Sequence, residues 1–471
     1  MVAGRKLKIL SYFLSVMAFG LAIFVVLIPA QVHRLSAADE PEPQLWAVVV
    51  GVKEYQCPLC IFDQEWNMYP VGLKHPDDNA RDLAAELSPV SGEDHVKLVL
   101  NEQATNSGIY HAIKWLAEKA GSKDTALFYF CGHSAPQNFG SYDYLVSDRQ
   151  MAEWLDAIHS QNVVIILDTC YAGSFQNALG KNGRAMLMSC QSSESSLEDR
   201  ELEHTVFTYY ILQALNNFDS ADVNGDYQLS AEEIFDYANP RTSDEIVQPF
   251  ANEMAYSNMQ HPTLYIPPDK YGEINLITKA VLSSDAKSAF EGTALTVDGK
   301  SYMSKQLPVS LTWLSGTSHR FDVPLQIDLE DGTRLVFTSW NDGNNSASRT
   351  TSIGGQYTAN YGTQYKLTVQ SEYGNPRGSG WFNSGSSASV SVNTTCGNII
   401  RHTFEGWTGD YTGQKASAAI TMDKSKTIKA NWHNDYLMLY LLIAAIISVV
   451  IGGITVAVMI VRRNTQRGSV D

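Results

Sequence analysis

Cysteine is scarce in this chain, with six in 471 residues. That argues against a disulfide-stapled scaffold. Cys57 and Cys60 form one C-x-x-C with no second such pair, which argues against a four-thiolate zinc site and leaves a local disulfide or two inert thiols. Cys131 and Cys190 end apolar runs, as core residues do, and Cys396 has no evident partner. Basic charge is also short: 34 Lys and Arg stand against 50 Asp and Glu, a formal net charge of -16. Nucleic acid is thereby a poor partner, because phosphate binding needs clustered Lys and Arg. The acidic balance serves solubility or a preference for cationic substrates.

Long uncharged runs lie at the two ends. Arg5, Lys6 and Lys8 precede an apolar stretch from Ile9 to about Ala30. A basic start and an apolar run read as a signal peptide or a signal-anchor helix over residues 1–38. Ser36-Ala37-Ala38 offers a small-residue cleavage site, and cleavage and retention both remain open. At the other end, residues 436–461 are uncharged and apolar and are followed by Arg462, Arg463 and Arg467. That is a transmembrane helix with a short basic tail, 462–471. Basic flanks face the cytoplasm, so the bulk of the chain is expected outside the cell membrane.

A prior of roughly 150 residues per domain predicts two or three domains between these ends. After a polar linker, Leu45 to Gly51 reads LWAVVVG, a short apolar run suited to a strand buried on both faces. Similar runs lie at Val96 to Leu100, Ala126 to Cys131, Val163 to Leu167 and, more weakly, Ala185 to Met188. Helical spacing covers Asp77 to Leu87, Thr105 or Asn106 to about Ala120, Met151 to Ile158, and Thr205 to Leu215. Alternating strands and helices predict an α/β domain over residues 40–268, with a mostly parallel sheet between helical layers. Residues 269–433 are rich in Ser, Thr, Gly and aromatics, as antiparallel β-structure is. This region repeats itself: Phe337 to Trp340 is echoed by Phe404 to Trp407, and Tyr357 to Tyr361 by Ile428 to Trp432. Two tandem β-modules are expected. Asn344 and Asn393 begin N-x-S/T sequons there.

In an open α/β sheet, functional groups gather beyond the carboxyl ends of the strands. Gly132-His133-Ser134 follows the third apolar run, and Asp168-Thr169-Cys170 follows the fourth. A thiol is mostly protonated at neutral pH, and an imidazole beside it can take the proton and later protonate a leaving amine. Cys170 and His133 are the pair at hand. Gly132, Ala172 and Gly173 are small enough for a substrate backbone to approach, and amides near Gly132 and Cys170 can stabilise an oxyanion.

FYFCGHS and IILDTCYAGSF together resemble the caspase-like cysteine peptidases, which include caspases, metacaspases, legumains and gingipains. VVVGVKEY, DDNARDLAAEL and VFTYYILQAL also look like that group, so the resemblance covers roughly residues 45 to 265. It implies a caspase-like α/β/α sandwich and cysteine endopeptidase activity on a protein or peptide substrate. His133 is then the base and Cys170 the nucleophile, with Gly132 or a neighbouring amide in the oxyanion hole and no cofactor required. Ser134 stands where the family usually has Gly, which bears on the oxyanion geometry. Asp168 matches the position that contributes to the primary pocket and implies cleavage after Arg or Lys. A legumain-like preference for Asn is the alternative. FEGWTGDYTG and ITMDKSKTIKANW resemble the divergent InlB B-repeats of cell-surface proteins, implying a spacer or adhesive stalk. A catalytically inactive caspase-like binding protein on that stalk is the competing reading.

One more motif carries chemistry. Asp222, Asn224, Asp226 and Glu233 fall at positions one, three, five and twelve of an EF-hand-like loop, with the Gln228 carbonyl as a further ligand for calcium. Tyr227 replaces the usual glycine at position six. The plainer reading is an acidic turn in which Ser230 caps the next helix. His75, His111 and His204 are scattered and read as surface or packing residues, and Trp340 and Trp407 as core aromatics of the two modules. The acidic, Ser-rich stretch from Gln191 to Glu203 reads as a loop in which Arg200 could be a self-processing site.

Overall fold

The structure, a computed structural model, describes residues 41–56, 73–248, 259–268, 270 and 274–467. The N-terminal apolar run, the Ser36-Ala37-Ala38 site and Cys57 and Cys60 lie outside the described residues.

The first region is built on β1 (Leu45–Val52), α1 (Pro76–Ser91), β2 (Val96–Leu100), α2 (Asn106–Lys119) and β3 (Thr125–Gly132). A short meander follows: β4 (Ser134–Ala135), β5 (Asn138–Gly140) and β6 (Leu145–Ser147). Next come α3 (Asp148–Leu155), β7 (Asn162–Asp168), β8 (Arg184–Met188) and the two-residue strands β9 (Glu198–Asp199) and β10 (His204–Thr205). Then come α4 (Val206–Asn216), β11 (Gln228–Ser230), α5 (Ala231–Asp244) and β12 (Thr263–Tyr265). The main sheet has the order β12-β8-β7-β3-β1-β2. All its pairs are parallel except β12 with β8.

Strand alternation divides the apolar runs between two cores. Ala47, Val49, Leu127, Tyr129, Val164 and Ile166 pack on one face against α1, α4 and α5. Val48, Val50, Phe128, Phe130, Ile165 and Leu167 pack on the other against α2 and α3. This is the expected helix–sheet–helix sandwich. Local chemistry sets the helix starts: Thr105 accepts from the Gly108 N–H at 2.9 Å and Ser147 from the Gln150 N–H at 3.2 Å.

The β-rich region is not tethered loosely. Its first strand, β13 (Asn275–Ser284), pairs antiparallel with β11. Leu276, Ile277 and Leu314 join the core beneath α4 and α5. Farther on, the strand Thr333–Trp340 pairs with Gly355–Gln370, and Arg401–Gly409 pairs with Lys426–Asp435. The two hairpins match in detail. Each has a bulge, between Phe337 and Ser339 or between Phe404 and Gly406, and each places its Trp opposite an Ala. Trp340 and Trp407 are both buried, and each indole N–H donates at 2.9 Å to a loop carbonyl, of Ser346 and Lys415 respectively. Asn344 and Asn393 are exposed. Among the described residues one helix is long and apolar enough to cross a membrane, Leu437–Asn464 within α6 (Leu437–Arg467), with a mean hydropathy of 2.8.

Candidate active site

β3 and β7 end level. Cys131 pairs with Asp168, and His133 and Cys170 each lie two residues beyond that last pair. The register therefore brings both residues to the same end of the sheet. Cross-bonds stitch the two strand ends together. The Thr169 hydroxyl donates to the Gly132 carbonyl at 2.6 Å and lies 2.7 Å from Ser134 Oγ. Ser134 Oγ donates in turn to the Cys170 carbonyl. Ser134, the departure from the family pattern, is thus a tie between the two turns.

Cys170 is half-buried, and its thiol lies 3.9 Å from the Ser196 carbonyl. Burial pushes the thiol above its ordinary value, only partly offset by hydrogen bonds from the Ser196 backbone and the Ser195 side chain, and the Asp168 carboxylate pushes it further up. Such a thiol stays protonated at neutral pH unless a base takes the proton. Cys131 and Cys190 are fully buried, and burial raises both, Cys190 to about 12. They are core residues, as their positions predicted.

Amide donors for an oxyanion lie at the same end. The Gly140 N–H donates to the His133 carbonyl at 2.9 Å, so Ser134 and Phe139 form a non-hydrogen-bonded pair of the β4–β5 ladder. The Ser134 N–H is therefore not spent on that ladder. It joins the amides near Gly132 and Cys170 as a candidate donor, at the position whose departure from glycine bears on the oxyanion geometry.

The small residues near the two strand ends pack against the chain's own neighbours. Ala172 is fully buried in the core. A Cβ on Gly173 would come within 2.8 Å of the Ser192 nitrogen, and one on Gly132 within 3.0 Å of Tyr55 Oη. These positions admit the chain's own neighbouring segments.

Asp168 is 1% exposed. One carboxylate oxygen accepts from Ser196 Oγ; the other accepts from Thr205 Oγ1, from the Thr208 N–H at 3.0 Å and from Thr208 Oγ1 at 2.6 Å. The carboxylate fastens β7 to α4 and to the segment beside Cys170. That segment is anchored on its far side: the Glu194 carboxylate accepts from the His261 N–H at 2.9 Å, and Gln260 Nε2 donates to the Ser189 carbonyl at 2.8 Å. Arg200 lies between β9 and β10, where its N–H donates to the Gln248 carbonyl at 2.9 Å and the buried Asp199 carboxylate accepts from the amides of Glu201 and Leu202. This stretch is a fastened turn, so self-cleavage at Arg200 would need it to open.

The acidic loop lies away from this end, where β11 meets β13. Asp222 accepts from the amides of Gly225, Asp226 and Tyr227, and Asp226 from that of Gln228. Tyr227 takes φ 63°, the left-handed conformation usual for glycine at loop position six. Glu233 closes a capping box with Ser230. Among the described residues no three His, Cys, Asp or Glu side chains are gathered to hold a metal ion. His204 contacts Asp82 at 3.0 Å, His75 contacts Asp78 at 3.5 Å, and His111 bonds to the Ser107 carbonyl within its own helix.

Comparison with known proteins bears on the same region. Residues 90–266 match the Peptidase C13 family. No curated protein matches. Among solved structures, protein GSU0716 from Geobacter sulfurreducens aligns at 15% identity and a TM-score of 0.35, covering 48% of this chain and 96% of its own. Caspase-1 from Spodoptera frugiperda aligns at 9% identity and a TM-score of 0.36, covering 48% of this chain and 86% of its own. The stretch that carries His133 and Cys170 is thus similar to a legumain-type, caspase-like cysteine-peptidase domain.

Proposed function

We propose that the chain is a membrane-anchored cysteine endopeptidase with Cys170 as nucleophile and His133 as general base. The observation that carries this is the level ending of β3 and β7 inside the stretch similar to Peptidase C13. His133 takes the proton from Cys170 Sγ, and the thiolate forms a C–S bond to the scissile carbonyl carbon. Amides of Ser134 and Cys170 receive the oxyanion. His133 then returns the proton to the leaving nitrogen as the C–N bond breaks. Water, deprotonated by His133, hydrolyses the thioester to a carboxylic acid and restores the thiol. α6 holds the enzyme in the membrane, with the chain before it outside and the basic end inside; the β-modules act as its stalk.

Asp168 supports cleavage after Arg or Lys, since a carboxylate two residues before the nucleophile can pair with a cation. A second reading, cleavage after Asn, is favoured by the saturation of that carboxylate: a cation would have to displace the Ser196 hydroxyl. The test is a positional peptide library together with a thiol-directed peptide probe. The wild type should label at Cys170 and Cys170→Ala should not, with turnover falling about 10³-fold or more in Cys170→Ala and His133→Ala. A wild type that neither labels nor cleaves returns the protein to the inactive binding reading. Cleavage of Arg peptides supports the first pocket; cleavage of Asn peptides alone supports the second.

A further inference from the structure

The segment just past β1 reaches the His133 turn. Tyr55 Oη accepts the His133 backbone N–H at 2.7 Å and donates to the Val52 carbonyl at 3.0 Å. Its ring lies beside the imidazole, with centroids 5.3 Å apart and planes inclined by 35°. Gly132 leaves only enough room for this, as its missing Cβ would sit 3.0 Å from Tyr55 Oη and 3.1 Å from the Val52 carbonyl. Tyr55 precedes residues 90–266, so the family match does not include it.

We propose that Tyr55 is the positioning residue of His133, a bridge from the end of β1 that fixes where the imidazole stands relative to Cys170. This rests on the peptidase reading above. His133 is the first residue past β3, where the sheet no longer dictates backbone direction. A hydrogen bond to its own N–H fixes that direction, and the adjacent ring limits where the imidazole can swing. Proton transfer between two side chains is steep in distance, so a small rotation of His133 lowers the thiolate fraction of Cys170. The bridge has a second effect. It occupies the His133 N–H and so keeps that donor out of the oxyanion hole.

The test uses the full chain in detergent, with Tyr55→Phe, which keeps the ring and removes the hydroxyl. Two quantities are read: kcat and KM on a cleaved peptide, and the rate of Cys170 alkylation by iodoacetamide against pH, followed by mass spectrometry of the Cys170 peptide. Tyr55→Phe should lower kcat about 10-fold or more with KM within about two-fold, and should move the alkylation midpoint to higher pH. A residue that only supported the fold would lower the folded fraction and leave kcat per titrated site and the midpoint unchanged, and that result overturns the proposal. If Tyr55→Phe does not fold, 3-fluorotyrosine at position 55 preserves the shape while weakening the acceptor, and the same two readouts decide. If the wild type cleaves nothing, the peptidase reading fails by itself. The alkylation midpoint then still judges Tyr55: a shift upholds the positioning role and an unchanged midpoint removes it.

Discussion

Every residue of β1 and β3 is buried, whereas the strand Lys426–Asp435 buries only Ile428 and Ala430. The first pattern comes from a parallel sheet covered by helices on both faces, the second from a half-covered sheet that is mixed rather than purely antiparallel as composition suggested, since Lys426–Asp435 pairs antiparallel with Arg401–Gly409 but parallel with Gly355–Gln370. The difference decides where function can sit. β1 and β3 keep their side chains buried, so candidate reactive groups fall in the turns past the strand ends, where His133 and Cys170 lie. Along the second kind of strand one face stays open for its whole length, which suits a spacer or contact surface. Packing crosses the compositional border between the two regions: Leu314 packs in the core of the first region, whereas Trp407 lies in a separate cluster.

Paired substitutions break this comparison at its strongest point. Trp407→Ala should cost the last hairpin module about 3–5 kcal/mol. The cluster around Trp407 shares no residue with the cores beneath β1 and β3, so peptide cleavage per folded molecule should not change. Leu314→Ala should cost about 2–5 kcal/mol and lower the unfolding midpoint of the peptidase-like region itself. Calorimetry of each variant beside an activity assay checks both. A single transition shifted equally by the two changes would show that the chain unfolds as one unit and that the two burial schemes are not independent.

Asp168→Asn probes the buried end of β7. An amide keeps the shape but offers one acceptor oxygen where the carboxylate receives Ser196, Thr205 and Thr208. Chemical denaturation should show a loss of about 1–3 kcal/mol. The same variant separates the two pocket readings. A selective fall in cleavage after Arg assigns the carboxylate to the pocket; an equal fall on all peptides leaves it a fastener between β7 and α4.

The sandwich was legible because burial on both faces writes itself as uninterrupted apolar runs, and LWAVVVG and ALFYFC both form the expected strands. Helix starts at Thr105 and Ser230 were legible because a cap acts within three residues. What stayed hidden acts across long separations. Tyr55 meets His133 across 78 positions, and Thr208 meets Asp168 across 40. No local pattern marks either contact. The β11–β13 pairing was hidden for another reason: a three-residue strand inside an acidic turn has too little alternation to read.

That acidic turn gives the smallest expected effect. Asp222 and Asp226 already accept loop amides, and among the described residues no third His, Cys, Asp or Glu is gathered with them. Binding would require Glu233 to leave its cap on Ser230, although its Oε1 is buried without a hydrogen-bond partner and would be the natural atom to turn toward an ion. The cost of breaking the cap, about 0.5–2 kcal/mol, opposes calcium before any coordination is gained. Millimolar calcium is therefore expected to move the unfolding midpoint by less than about 1 °C. A rise of several degrees, lost in Glu233→Gln, would show instead that the loop closes around the ion. Because β11 continues into the pairing with β13, such closure would stiffen the junction between the fully buried sheet and the half-buried one.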